Sequence, residues 1–212
     1  KTAYEIRPRD WSSDVCSSDL GQLVFTNGAA VPDTGLITVG ATGYVGYGDS
    51  SGNEAAEFLA KLDPANVHGS FGFDTDPTYY TPNAFSTPLN LTGFASDARL
   101  GSVTQAVLTA AAVITPQGVD YRFGGGGGVL GVDSALTNGV TGRNVVADSP
   151  VRQPLTVYLR SASNNFTGTV SATHSAVIFD QASLPAGTGN FILNAGGYRS
   201  EEHTSELQSR GL

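Results

Sequence analysis

The chain has 212 residues, a formal net charge of −8, 27 glycines, and one cysteine and one tryptophan. The acidic balance excludes the basic footprint of a nucleic-acid binder, and a single cysteine excludes a disulfide framework or a cysteine-based metal site. No apolar run approaches the ~20 residues of a membrane-spanning helix, and few charges with abundant glycine argue for an all-β chain rich in turns.

The first element in chain order is a tail. Lys1–Leu20 (KTAYEIRPRDWSSDVCSSDL) resembles the conceptual translation of a short-read sequencing-library adapter. Arg199–Ser209 (RSEEHTSELQS) resembles the same adapter read from the opposite strand. With an AGR codon for Arg7, the reverse complement of the left barcode allows the right-hand Arg210-Gly211-Leu212. The alternative is an amphipathic N-terminal segment and a helical C-terminal tail. The resemblance implies that 1–20 and 199–212 are non-native, disordered tails, so that nothing after Tyr198 continues the body. It also implies that both true termini are missing. Gly21–Tyr198 then holds no Cys, Met or Trp, with 6 Lys+Arg against 12 Asp+Glu, and reads as one domain or a piece of one.

The body opens with QLVF at Gln22–Phe25, a turn at Thr26–Ala30 and LITV at Leu36–Val39. Next comes GATGYVG at Gly40–Gly46. A short helix is predicted over Glu54–Leu62, capped by Asn53 and ended by Asp63-Pro64. Its apolar face is Ala55, Phe58, Leu59 and Leu62. Val67–Asp74 is a candidate strand. Thr75–Pro88, with Pro77, Pro82 and Pro88, is a loop or edge segment. Leu89–Phe94, Arg99–Thr109, Val119–Phe123, Val129–Val132 and Asn144–Val146 alternate like strands. Ala110–Ala112 could be helical, and Gly124–Gly128 marks a corner needing positive φ.

The densest signal lies in Leu155–Tyr198. Four strands are predicted, at Thr156–Leu159, Thr169–Ala172, Ala176–Phe179 and Asn190–Leu193. Their centres Val157, Val170, Ile178 and Ile192 are 13, 8 and 14 residues apart. Two successive steps make one coil of a β-solenoid. AVIFDQASLPAGTGNFILNAGGY at Ala176–Tyr198 also lies over QLVFTNGAAVPDTGLITVGATGY at Gln22–Tyr44, with an offset of 154 residues. One such unit plus the start of the next is the expected organisation.

Candidate chemistry is sparse. Gly40–Gly46 resembles the glycine-rich dinucleotide motif of extended short-chain dehydrogenases. Against it, the helix is late, and position 57 is Glu where the family's Tyr-x-x-x-Lys needs Tyr before Lys61. Gly48-Asp49-Ser50 resembles the surroundings of a hydrolase nucleophile, but only His68 and His174 could complete a triad. Asp74 and Asp76 are candidate calcium ligands; an Asx-type turn is the plainer reading. Tyr79, Tyr80 and Phe85 are candidates for sugar stacking, set against ordinary packing. No cofactor is expected.

Ser163-Asn164-Asn165-Phe166-Thr167-Gly168-Thr169-Val170, followed by Ala176–Phe179, resembles the autotransporter-associated β-strand repeat of bacterial passenger domains. The resemblance covers about 40 residues, and Gly21–Tyr44 matches its later half. The usual Gly-Gly pair is absent, since Thr169 follows Gly168. The resemblance implies a right-handed parallel β-helix and a non-enzymatic stalk or adhesive passenger at the outer surface or secreted. Its partner would be a surface or glycan ligand, with membrane attachment only through a missing C-terminal region. A β-helical polysaccharide binder or lyase is the alternative. That chemistry would need the scattered cations Lys61, Arg99, Arg122, Arg143, Arg152 and Arg160 to line up on one face beside acids.

Overall fold

The computed structural model describes residues 21–49, 55–75, 81–180, 182–194, 196 and 198–201. Asn53, Glu54, Asp76, Tyr79, Tyr80 and both tails, apart from Arg199–Glu201, lie outside them. The chain winds into a parallel β-solenoid of about seven turns. The first coil holds β1 (Gln22–Phe25) and β2 (Ile37–Val39), and the second holds β3 (Tyr44–Tyr47), α1 (Ala55–Lys61) and β4 (Leu62–Val67). The third holds β5 (Ser70–Phe73), β6 (Asn83–Phe85) and β7 (Leu89–Asn90), and the fourth β8 (Arg99–Gly101), β9 (Gln105–Leu108) and β10 (Ile114–Thr115). Later coils carry two strands each. These are β11 (Asp120–Phe123) with β12 (Val129–Val132), β13 (Asn144–Asp148) with β14 (Thr156–Leu159), β15 (Val170–Thr173) with β16 (Ala176–Phe179), and β17 (Phe191–Leu193) with β18 (Tyr198–Glu201).

Stacking makes an eight-stranded sheet, β1-β3-β5-β8-β11-β13-β15-β17, and a six-stranded sheet, β18-β16-β14-β12-β9-β6. Two-stranded pairs, β2–β4 and β7–β10, close a third side over the first four coils. Alternation decides which side chains face inward. One inward column runs Leu23, Val45, Phe71, Leu100, Phe123, Ala147, Ala172, Leu193, each in register with the next. The six-stranded sheet contributes Phe85, Leu108, Val132, Leu159 and Phe179, all buried. The helix plugs the second coil: Phe58 stacks on Tyr47 at 5.7 Å and meets Phe73 edge-on at 6.4 Å.

Most predicted strands appear within a residue of their expected bounds, and α1 sits inside the predicted helix. Several segments differ: the Val67–Asp74 strand starts at Ser70, Leu89–Phe94 shortens to β7, Arg99–Thr109 splits into β8 and β9, and Asn144–Val146 extends to Asp148. Leu62–Val67 is a strand despite Pro64; β4 pairs only with β2, so the missing N–H falls on an edge. β6 is an edge strand inside the proline-rich segment, in keeping with its reading as a loop or edge segment. Ala110–Ala112 is a turn closed by Ala112 N–H donating to Thr109 O at 2.9 Å. The body also does not stop at Tyr198: β18 pairs Tyr198–Glu201 with Ala176–Phe179, because the edge of β16 offers free backbone groups to any extended segment. The segments aligned at an offset of 154 residues occupy different sheets, with β1 in the eight-stranded and β16 in the six-stranded one.

Candidate functional site

Asp74 follows β5 at the corner where the chain leaves the eight-stranded sheet, and it is fully buried. Its Oδ2 accepts from Tyr44 Oη at 2.7 Å. Its Oδ1 accepts from Val103 N at 2.7 Å, Thr104 N at 3.0 Å, and the hydroxyls of Ser102 and Thr104 at 3.1 Å each. Every partner is a donor, which suits a carboxylate. Tyr44 belongs to the second coil, Asp74 to the third and Ser102–Thr104 to the fourth, so one side chain ties three coils together. Next to it, Thr75 N donates to Thr104 Oγ1 at 2.8 Å, and Asn83 N donates to Thr75 Oγ1 at 2.7 Å.

Tyr44 and Gly46 lie on the outer face of β3, opposite the core residues Val45 and Tyr47. Tyr44 is nonetheless fully buried. Gly46 makes the space: a Cβ there would collide with the Asp74 carboxylate and the Tyr44 ring. Gly72 and Gly101 continue the bare column on β5 and β8. Gly124–Gly127, all at positive φ, fold back as a flap over this face. Gly126 O accepts from Gln22 Nε2 at 2.6 Å, although the two are 104 residues apart in sequence. Burial first, then the Asp74 charge and its hydrogen bond, hold the Tyr44 phenol well above its ordinary value; a backbone hydrogen bond at Val103 opposes them.

This geometry corrects several sequence expectations. Gly40–Gly46 does not open a helix. Gly43 N donates to Gly40 O at 2.9 Å in a turn, and Tyr44–Tyr47 continues as a strand. Gly46 makes room for the Tyr44–Asp74 pair, where the dinucleotide motif would use it to admit a pyrophosphate. Asp74 is not presented to a calcium ion, because protein donors surround both of its oxygens. Phe85 is no sugar platform, since it is buried and stacks on Phe73 at 4.4 Å. Asp76, Tyr79, Tyr80 and Ser50 lie outside the described residues.

The remaining nominated side chains are dispersed. His68 Nδ1 pairs with Asp97 Oδ1 at 2.9 Å on an exposed corner. His174 occupies the turn between β15 and β16 at φ 49°. Arg99 binds Asp148 at 3.3 Å and Arg122 binds Asp120 at 3.0 Å, both on the eight-stranded sheet. Arg160 binds Asp133 at 2.7 Å beside the six-stranded sheet. Arg143 donates to Tyr121 Oη at 2.9 Å, and its guanidinium lies 5.5 Å from that ring's centroid. Under the flap, Ser70 Oγ and Arg99 Nε and Nη1 are buried with no hydrogen-bond partner.

The Asn164–Thr169 motif builds a second polar corner. Phe166 is buried in the core. Asn164 Oδ1 accepts from Leu136 N at 2.8 Å in the preceding coil, and Nδ2 donates to Ser183 O at 2.9 Å in the following one. Asn138 N donates to Asn165 Oδ1 at 2.9 Å, and Thr169 N donates to Asn144 Oδ1 at 2.9 Å. Gly168 must lack a side chain, because a Cβ would strike Asn144 Oδ1 and the Arg143 carbonyl.

Sequence reasoning missed Tyr44, Ser102 and Thr104. Their signal was spacing: Tyr44 and Thr104 each lie 30 residues from Asp74, close to one coil. Among the described residues no group of three His, Cys, Asp or Glu could hold a metal ion, and no helix is long and apolar enough to cross a membrane. No protein-family model matches the chain, and neither a characterised protein nor a solved structure does.

Proposed function

We propose that the chain is a non-enzymatic structural and adhesive solenoid, a passenger region of a bacterial surface or secreted protein of the autotransporter type. The solenoid fold fits such a role. The observation that carries the reading is the use of the polar side chains: Asp74, Asn138 and Asn164 join successive coils and so build a stiff rod. The rod keeps one regular outer face, on the six-stranded sheet, where Val107, Tyr158 and Ile178 stand in register around Gly131. That face is the proposed adhesive surface, and a cell-surface glycan is its proposed ligand. The terminal segments belong to this proposal as adapter-derived sequence.

A polysaccharide lyase is the competing reading, because Arg99 and Arg122 share one sheet with Asp120 and Asp148. The base it requires is hard to find there. Tyr44 is buried with its phenol held protonated, and Tyr121 Oη is engaged by Thr137 and Arg143. A glycan array combined with a turnover assay on acidic polysaccharides separates the two. Glycan binding without cleavage supports the adhesive reading; release of unsaturated oligosaccharides overturns it.

A further inference from the structure

The glycine flap covers a cation. Ser70 and Arg99 stand side by side on the outer face of β5 and β8, in register. A Cβ on Gly125 would strike Ser70 Oγ, and one on Gly124 would come within 3.1 Å of Arg99 Cδ, so the flap rests directly on both side chains. Arg99 Nη2 reaches Asp148 at 3.3 Å. Ser70 is fully buried, and its Oγ, Arg99 Nε and Arg99 Nη1 have no hydrogen-bond partner. An arginine keeps its proton and all five donors, so holding two nitrogens buried and unpaired is costly.

The flap itself is lightly fastened. Four glycines bring no apolar side chain to bury, and segments with few apolar contacts open most readily. Its ties are polar: Gly125 N donates to Ser149 Oγ at 2.9 Å, Gly126 N to Gln153 Oε1 at 3.4 Å, and Gln22 Nε2 to Gly126 O at 2.6 Å. Lifting the flap exchanges these bonds for bonds to water and releases the donors beneath it. A permanent cation beside a hydroxyl is the equipment that recognises an oxyanion.

We propose that Arg99 and Ser70 form an oxyanion site, for a carboxylate or a phosphate, and that Gly124–Gly127 is its lid. The lid lifts to admit the anion, whose oxygens accept from the Arg99 guanidinium and from Ser70 Oγ. The site lies on the eight-stranded sheet, so it is independent of the adhesive reading, which uses the six-stranded one.

Amide NMR titrations of the full chain test it, with inorganic phosphate in one arm and glucuronate in the other, at constant ionic strength. The expected result is a saturable shift of the Ser70 and Gly124–Gly127 amides in at least one arm; the arm that binds more tightly tells phosphate from sugar carboxylate. Arg99→Gln should weaken that binding at least about tenfold, and Ser70→Ala at least about threefold. Gln22→Ala, which unfastens the lid, should tighten it about two- to fivefold and speed hydrogen exchange at Gly125 and Gly126. Absence of saturable binding in both arms overturns the site, as does unchanged affinity in Arg99→Gln or Ser70→Ala. Unchanged affinity in Gln22→Ala overturns the lid. Circular dichroism checks folding; if Arg99→Gln does not fold, Ser70→Ala decides the site.

Discussion

The two polar corners solve one problem with different chemistry. At the Asp74 corner a single carboxylate gathers five donors from the neighbouring coils. At the Asn164 corner an amide accepts from the coil before and donates to the coil after. An amide has both functions, so such a bridge can repeat from coil to coil, as at Asn144, whose Nδ2 donates to Asp120 in the coil before while its Oδ1 accepts from Thr169 N in the coil after. A carboxylate only accepts, so its corner needs donors on every side and a bare glycine column to admit a tyrosine. The Asn corner is therefore a repeatable device and the Asp corner a local one. A buried, strongly engaged acid can serve cohesion alone.

Removing the anchors should separate the two corners in order of what each leaves stranded. Asp74→Ala orphans two backbone N–H groups and three hydroxyls, and is expected to lower stability by at least about 3 kcal/mol in urea denaturation. Hydrogen exchange should accelerate first at Val103 and Thr104. Asn164→Ala strands Leu136 N–H and Ser183 C=O, at about 2–3 kcal/mol, with exchange rising first at Leu136.

Tyr44→Phe removes one donor to a charged acceptor, at about 1.5–3 kcal/mol. It also changes the pH dependence. The folded phenol titrates above its unfolded value, so its contribution is complete below about pH 10 and is lost as pH rises through the raised folded value. Denaturation curves from about pH 9 to pH 11 should show wild-type stability falling more steeply than that of Tyr44→Phe. Arg160→Ala, at a pair whose side chains are 38 % and 39 % exposed, should change stability by less than about 1 kcal/mol in the same assay.

Much of the solenoid was legible in local pattern. Thr156–Leu159 and Ala176–Phe179 alternate strictly between turn residues, so period and punctuation set their bounds. The Asn164–Gly168 turn was legible for the same reason, since its residues act within a short stretch. Phe85 and Pro64 were not. The proline-rich Thr75–Pro88 reads as a loop or edge segment without placing Phe85 in the core, and Pro64, which reads as a helix stop, sits in the edge strand β4. The Asp74 corner was least legible. As a local string, Asp74-x-Asp76-Pro77 offers two acids on a loop. Only the winding of the coils brings Tyr44 and Thr104 to the first of them.

A double-mutant cycle on Tyr44→Phe and Asp74→Asn, measured by chemical denaturation, tests most directly whether Asp74 works as a staple between coils. The expected coupling is at least about 1 kcal/mol between two residues 30 positions apart in sequence. Strict additivity would contradict the staple.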